Sequence, residues 1–239
     1  MTRTRFSFRS FFLPVLWVLF ALPGWAGPKP VVVVELFTSQ GCSSCPPSDA
    51  LIAELAERED VLALALHVDY WDYIGWADTF ARPEHTARQR AYAHLAGGGP
   101  IYTPQIVVSG VDVFAGGRPM KLAELIERHR GGMGAVALRV LRDAGGWTAD
   151  VVPGEALPEG EYHIELVEFV PRAEVEILHG ENAGRVVTYA NIVMARRVLR
   201  LWDGQGTVRV SLPGSQAEGL ALVVQAAGPG RVLAAARLR

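Results

Sequence analysis

Cysteine is scarce in this chain: there are only two, Cys42 and Cys45. With 50% of its residues hydrophobic, the chain builds a core without the dense disulfide framework that tiny secreted domains need. An excess of one charge is also missing. The net charge is −2, and the arginines at positions 3, 5 and 9 all lie in an acid-free N-terminus, so the remainder is more acidic still. That balance argues against nucleic acid or an anionic membrane as partner. No G-x-G-x-x-G follows a strand, so no dinucleotide cofactor is expected. No Met-rich or His-rich tract suggests metal storage.

Long apolar runs are absent too. Phe11 to Leu22, FFLPVLWVLFAL, is broken by Pro14 and falls short of the ~20 residues that a spanning helix needs. The arginines before it and the small residues Gly24 and Ala26 after it fit a secretory signal cleaved near Ala26. No adjacent Arg-Arg pair supports a twin-arginine route, and an uncleaved anchor is the alternative. Residues 1–26 are therefore expected to be a signal peptide. The mature protein is expected to be exported, in a bacterium to the periplasm, with no membrane span after cleavage.

What is there begins with VVVVELF, residues 31–37, a β-branched run interrupted by Glu35. Such a run suits a strand buried on both faces. PPSDALIAELAERE after the cysteines predicts a helix with prolines in its first turn. VLALALHV, residues 61–68, predicts a second buried strand, completing a βαβ unit. The aromatic stretch DYWDYIGWADTF predicts a loop with a turn of helix. Arg82 to Ala96 predicts a helix between Pro83 and Gly97-Gly98-Gly99, with His85 and His94 on its exposed surface. IYTPQIVVSGVDVFAGG predicts a hairpin about Ser109-Gly110, and Pro119 to Arg130 a closing amphipathic helix. GGMG, residues 131–134, marks a boundary. Short alternating runs from 135 to 239 predict a mainly antiparallel, sandwich-like β region.

The cysteines sit where a buried strand gives way to a helix. A thiolate at a helix N-terminus meets partial positive charge and free N–H groups, which lower its pKa. Cys42 is expected as the exposed nucleophile and Cys45 as the resolving thiol. Thr103-Pro104 opens the third strand, where a proline is often held in a special geometry such as a cis peptide.

The order β-α-β-α-β-β-α over residues 30–130, with C-x-x-C at the first strand–helix turn and Thr-Pro before the third strand, resembles the thioredoxin fold. The resemblance implies that Pro104 is cis and faces Cys42, and that Thr103 offers backbone to substrate. It also implies that Glu35, on the buried strand, relays the proton of the resolving cysteine. The stretches VVVELFTSQGCSSCPPSD, HVDYWDYIGWADTFA, YTPQIVVSG and ILHGENAGRVVTYANIV resemble the bacterial secreted family called domain of unknown function 1223, thioredoxin-like with an appended β region. Three departures from ordinary thioredoxins stand out. Ser43-Ser44 separates the cysteines, Gln40-Gly41 stands where a tryptophan is usual, and the stretch from Tyr70 to Pro100 is long.

Tyr70, Trp71 and Trp76 are candidates to line the cysteine pocket, with His67, Asp69 and Asp72. Three functions remain open. One is thiol–disulfide exchange on proteins or small thiols, with a redox partner protein and no cofactor. Another is Cu(I) handling by Cys42 and Cys45 with His67 as third ligand. The last is a non-catalytic binding module with a structural disulfide. HGENAGRVVTYANIV reads as an ordinary turn, or as a ligand or interface site.

Overall fold

The computed structural model describes residues 31–130, 134–143, 146–155 and 157–239. The expected signal at 1–26 and residues 131–133 of the boundary lie outside them. Strand β1 (Val32–Thr38) is buried at every position, as its β-branched run predicts. Helix α1 (Pro46–Ala56) follows, with Cys45 as N-cap and prolines in the first turn, where a missing N–H costs nothing. Strand β2 (Val61–His67) then runs parallel to β1, with Val32 opposite Val61 and Thr38 opposite His67.

A short 3-10 turn (Asp72–Ile74) and helix α2 (Pro83–Leu95) lead to β3 (Gln105–Val108) and β4 (Asp112–Ala115). β3 pairs antiparallel with β1 and with β4. The β3–β4 hairpin turns through Ser109, which adopts φ 49°. Helix α3 (Pro119–Arg130) closes the first half. The two sheet faces follow from strand alternation. Val32, Val34 and Leu36 pack under α1 and α3 with Ile52, Leu122 and Ile126. Val33 and Phe37 point the other way, towards Tyr92 of α2.

The second half contributes β5 (Val136–Asp143), β6 (Gly146–Pro153), β7 (Tyr162–Ile177), β8 (Arg185–Trp202), β9 (Val208–Ser211), β10 (Gly219–Ala226) and β11 (Val232–Arg237). Only β5, β6 and β9 form a separate, three-stranded sheet. The rest extend the first sheet to eight strands in the order β11-β10-β7-β8-β2-β1-β3-β4. The protein is thus a mixed α/β fold with one large, mostly antiparallel sheet and one smaller sheet. The sheets face each other across Leu138, Val151 and Val210 on one side and Ile164, Leu222 and Val224 on the other. β8 meets β2 in parallel at a single register pair, Ala65 with Ile192. There Asn191, at φ 47°, donates its amide to the Ala63 carbonyl at 2.8 Å. Among the described residues no helix is long and apolar enough to cross a membrane.

Candidate functional site: a covered disulfide

The chain leaves β1 at Thr38 and turns tightly. Cys42 N–H donates to the Ser39 carbonyl at 3.1 Å, and Cys45 N–H to the Cys42 carbonyl at 3.2 Å. The same turn brings the two sulfurs together, and Cys42 and Cys45 form a disulfide. Ser43 and Ser44 are exposed, but Cys42 is 1% and Cys45 0% exposed. The expectation of an exposed Cys42 is therefore corrected: two segments cover it.

The first cover is the loop after β2. Gly41 permits the approach, since a Cβ there would lie 3.2 Å from Ile74 Cδ1 and 3.4 Å from Trp71 Cβ. Gln40 ties the loop down. Its N–H donates to Asp78 Oδ2 at 2.8 Å, and its Oε1 accepts from Trp76 Nε1 at 2.7 Å. The second cover is the tip of the β7–β8 hairpin, the polar HGENAG stretch. Asn182 Nδ2 donates to the carbonyls of Gln40 and Cys42, each at 2.9 Å.

The Thr103-Pro104 peptide is cis. Pro104 lies by the first turn of α1. Its carbonyl accepts from Gly116 N–H at 2.9 Å, and Gly117 N–H donates to Ser48 Oγ at 3.1 Å. Gly116 leaves no room for a side chain, because a Cβ would sit 2.9 Å from Pro104 Cβ and against Ser48 Oγ. Gly116→Ala is expected to destabilise by about 1–3 kcal/mol through overpacking, read as a lowered thermal midpoint. Trp71 Nε1 donates to Thr103 Oγ1 at 2.7 Å. Burial pushes the Tyr70 hydroxyl, beside Gln89 and Thr103, up to about 12. Tyr70, Trp71 and Thr103 thus gather on the Pro104 side of the disulfide loop, while Trp76 belongs to the Gln40 side.

Glu35 is placed elsewhere. Between Val33 and Phe37 on β1, it shares their face, opposite α1 and its cysteine. Arg88 grips it with Nε to Oε1 at 2.8 Å and Nη2 to Oε2 at 3.0 Å. Arg196 adds a contact at 3.1 Å and Tyr92 donates its hydroxyl at 2.5 Å. Burial pushes this carboxyl up, but Arg88 and Arg196 more than reverse that and hold it at about 2. The proton relay expected of Glu35 is therefore corrected. The residue is a fixed anion binding two arginines, on the wrong side of the sheet for Cys45.

The carboxyl on the cysteine side is Asp49, four residues after Cys45 and buried with it. Thr38 Oγ1 donates to its Oδ1 at 2.7 Å. Its Oδ2 is buried and has no partner among the described residues. Burial pushes Asp49 up to about 7, aided by the nearby Asp78 charge and opposed by His67 and the Thr38 hydrogen bond. His67 is fully buried at the end of β2, with Nδ1 2.7 Å from Asp78 Oδ2. The rings of Tyr189 and Phe80 stand edge-on to it at 4.8 and 5.3 Å. Its Nε2 has no partner among the described residues. His85 is buried rather than exposed. Its Nδ1 lies 2.9 Å from the His67 carbonyl, and burial pulls it down to about 4. His94 is exposed as expected.

Cys42, Cys45 and His67 do not converge as a metal-binding set, and no three such side chains do so among the described residues. The two cysteines of the copper alternative are joined to each other as the disulfide, and His67 is bonded through Nδ1 to Asp78. Sequence reasoning passed over Asp49, Asp78 and Asn182. For Asp49 there was a signal, the i, i+4 spacing from Cys45 at a helix start.

The architecture has relatives. Protein AGR_C_4864 from Agrobacterium tumefaciens, known from a crystal structure, is 31% identical with a TM-score of 0.76, covering 88% of this chain and 95% of its own. HBP35 of Porphyromonas gingivalis shares the fold at 15% identity and a TM-score of 0.59, over 87% of this chain and 74% of its own. Among curated proteins none matches. A family model described as "Protein of unknown function (DUF1223)" matches residues 33–225, and with that span covered the chain belongs to this family.

Proposed function

We propose that the protein is an exported thiol–disulfide exchange protein built on a thioredoxin-like first half. The observation that carries this is the Cys42–Cys45 disulfide at the N-cap of α1, and a cis Thr103–Pro104 peptide opening β3 adds to it. At a helix N-terminus the departing or attacking thiolate is stabilised by free N–H groups and the helix dipole. A three-residue separation lets one sulfur resolve a mixed disulfide formed on the other. Support for the fold reading comes from the element order, the parallel β1–β2 pair, the antiparallel β3 and β4, and helices on both sheet faces. Export rests on the composition of residues 1–26. Tyr70, Trp71 and Thr103 border the site and are the surface a substrate meets. The substrates are protein or small-molecule thiols and disulfides, with electrons exchanged with another protein.

Burial of both cysteines favours a second reading, a binding module with a structural disulfide. One experiment separates the two. A Cys45→Ala variant leaves Cys42 unable to resolve, so mixed disulfides accumulate with partners from periplasmic extract and are released by reductant. Failure to trap any partner, together with a reduction potential below about −300 mV in glutathione buffers, assigns the disulfide to structure instead.

A further inference from the structure

We propose that Asp49 is the acid–base group of the disulfide, delivering a proton to the Cys45 sulfur when the bond opens and taking it back when it closes. The inference rests on the exchange reading above and names a group that reading lacks, since Glu35 lies on the opposite face.

The geometry carries it in three steps. First, Cys45 has helical dihedrals, φ −77° and ψ −36°, and its carbonyl accepts the Asp49 N–H at 3.1 Å. Residues spaced four apart on a helix share a face, with Cβ atoms about 6 Å apart. Second, the Asp49 side chain is oriented: Thr38 occupies Oδ1 at 2.7 Å and leaves Oδ2 buried without a protein partner. A buried carboxyl oxygen left unpaired is costly if charged and tolerable if it carries a proton. Third, the surroundings hold the carboxyl near the balance between its two forms. His67, Asp78 and Tyr189 are the titratable groups around it, from β2, the following loop and β8. His67 favours the carboxylate and Asp78 opposes it. Burial brings the result to about 7, the range in which a carboxyl exchanges protons at neutral pH.

A substrate thiolate attacks Cys42 Sγ, a new S–S bond forms, and the Cys42–Cys45 bond breaks with its electron pair on Cys45. The neutral Asp49 carboxyl donates its proton to that sulfur and becomes a carboxylate, which regains a proton from water once the site opens. A second substrate thiolate then attacks the substrate sulfur. Cys42 leaves as a thiolate and takes a proton from water, so two substrate thiols become one disulfide and the protein disulfide becomes a dithiol. In reverse, the Asp49 carboxylate removes the Cys45 proton and frees the resolving thiolate.

The test measures reduction of the full mature protein by dithiothreitol from pH 5 to 9, in the range linear in reductant, with each rate divided by the reductant's thiolate fraction. In the wild type this normalised rate is expected to fall as pH rises through about 7. Asp49→Asn keeps an acceptor for Thr38 but carries no proton to give. Its normalised rate is expected to be flat with pH and lower at pH 6 by on the order of 100-fold. Thr38→Val removes a hydrogen bond that favours the carboxylate, so the inflection is expected to move to higher pH. That shift follows from acid–base action and not from a merely structural role, and it keeps the proposal testable if Asp49→Asn does not fold. A folded Asp49→Asn protein with the wild-type pH profile overturns the inference. Absence of trapped partners with Cys45→Ala, together with a reduction potential below about −300 mV, overturns the exchange reading instead, so the two failures are distinguishable.

Discussion

Glu35→Gln is expected to lower the thermal midpoint by about 6–20 °C while leaving exchange per folded molecule unchanged. Removing one partner from a buried ion cluster strands the others, at about 3–5 kcal/mol, and each kcal/mol moves the midpoint of a chain this long by about 2–4 °C. Here the stranded groups are Arg88 and Arg196. Arg88 keeps Gln225 Oε1 at 2.8 Å, and Arg196 keeps Glu165, but neither retains its carboxylate on β1. The pH dependence has a definite sign. Glu35 is held at about 2 against an ordinary 4.5. Its stabilisation is therefore full above 4.5 and is lost as pH falls through about 2. The variant lacks this acid limb. A variant that stays as stable as the wild type but exchanges slowly would return Glu35 to the role of relay.

Asn182→Ala is expected to speed reduction of the disulfide by about 5–30-fold. The asparagine amide satisfies two buried carbonyls at once, and truncating it leaves both unpaired at a cost of about 1–3 kcal/mol. Most of that cost falls on the closed form of the hairpin tip, so the open population grows by roughly the factor that 1–2 kcal/mol represents. The measurement is the rate of thiol appearance under dithiothreitol at fixed pH, with circular dichroism confirming an intact fold. An unchanged rate in a folded variant would show that reductant reaches the sulfurs by another path.

Much of the first half was legible because its signals are local. VVVVELF reads as a doubly buried strand and is one. Ser109-Gly110 reads as a hairpin turn, and there Val108 pairs with Asp112. Thr103-Pro104 announced its unusual peptide. The misreadings concern α2 and Glu35. Helix α2 buries His85, Thr86, Gln89 and Tyr92, a polar face that apolar periodicity cannot find, so His85 looked exposed. The Glu35 partners Arg88 and Arg196 lie 53 and 161 residues away, and no local pattern encodes such distances. The joining of β8 to β2 was equally hidden, because a single parallel register pair leaves no sequence signature. The polar HGENAG stretch was visible as unusual, but its target across the fold was not.

The β7–β8 ribbon has a mechanical consequence. β7 alone has 16 residues, a path of about 50 Å at 3.3 Å per residue. One end, at Tyr162 and Trp202, is clamped in the core between the two sheets, while the other carries Asn182 over the disulfide. Midway the ribbon is pinned to the first half, where Ile192 of β8 pairs with Ala65 of β2 and Asn191 holds the Ala63 carbonyl, so the latch on the sulfurs is the tip of an arm with two supports. Clamp, pin and latch belong to one strand pair, so the second core and the cover of the disulfide are held by the same stretch of backbone.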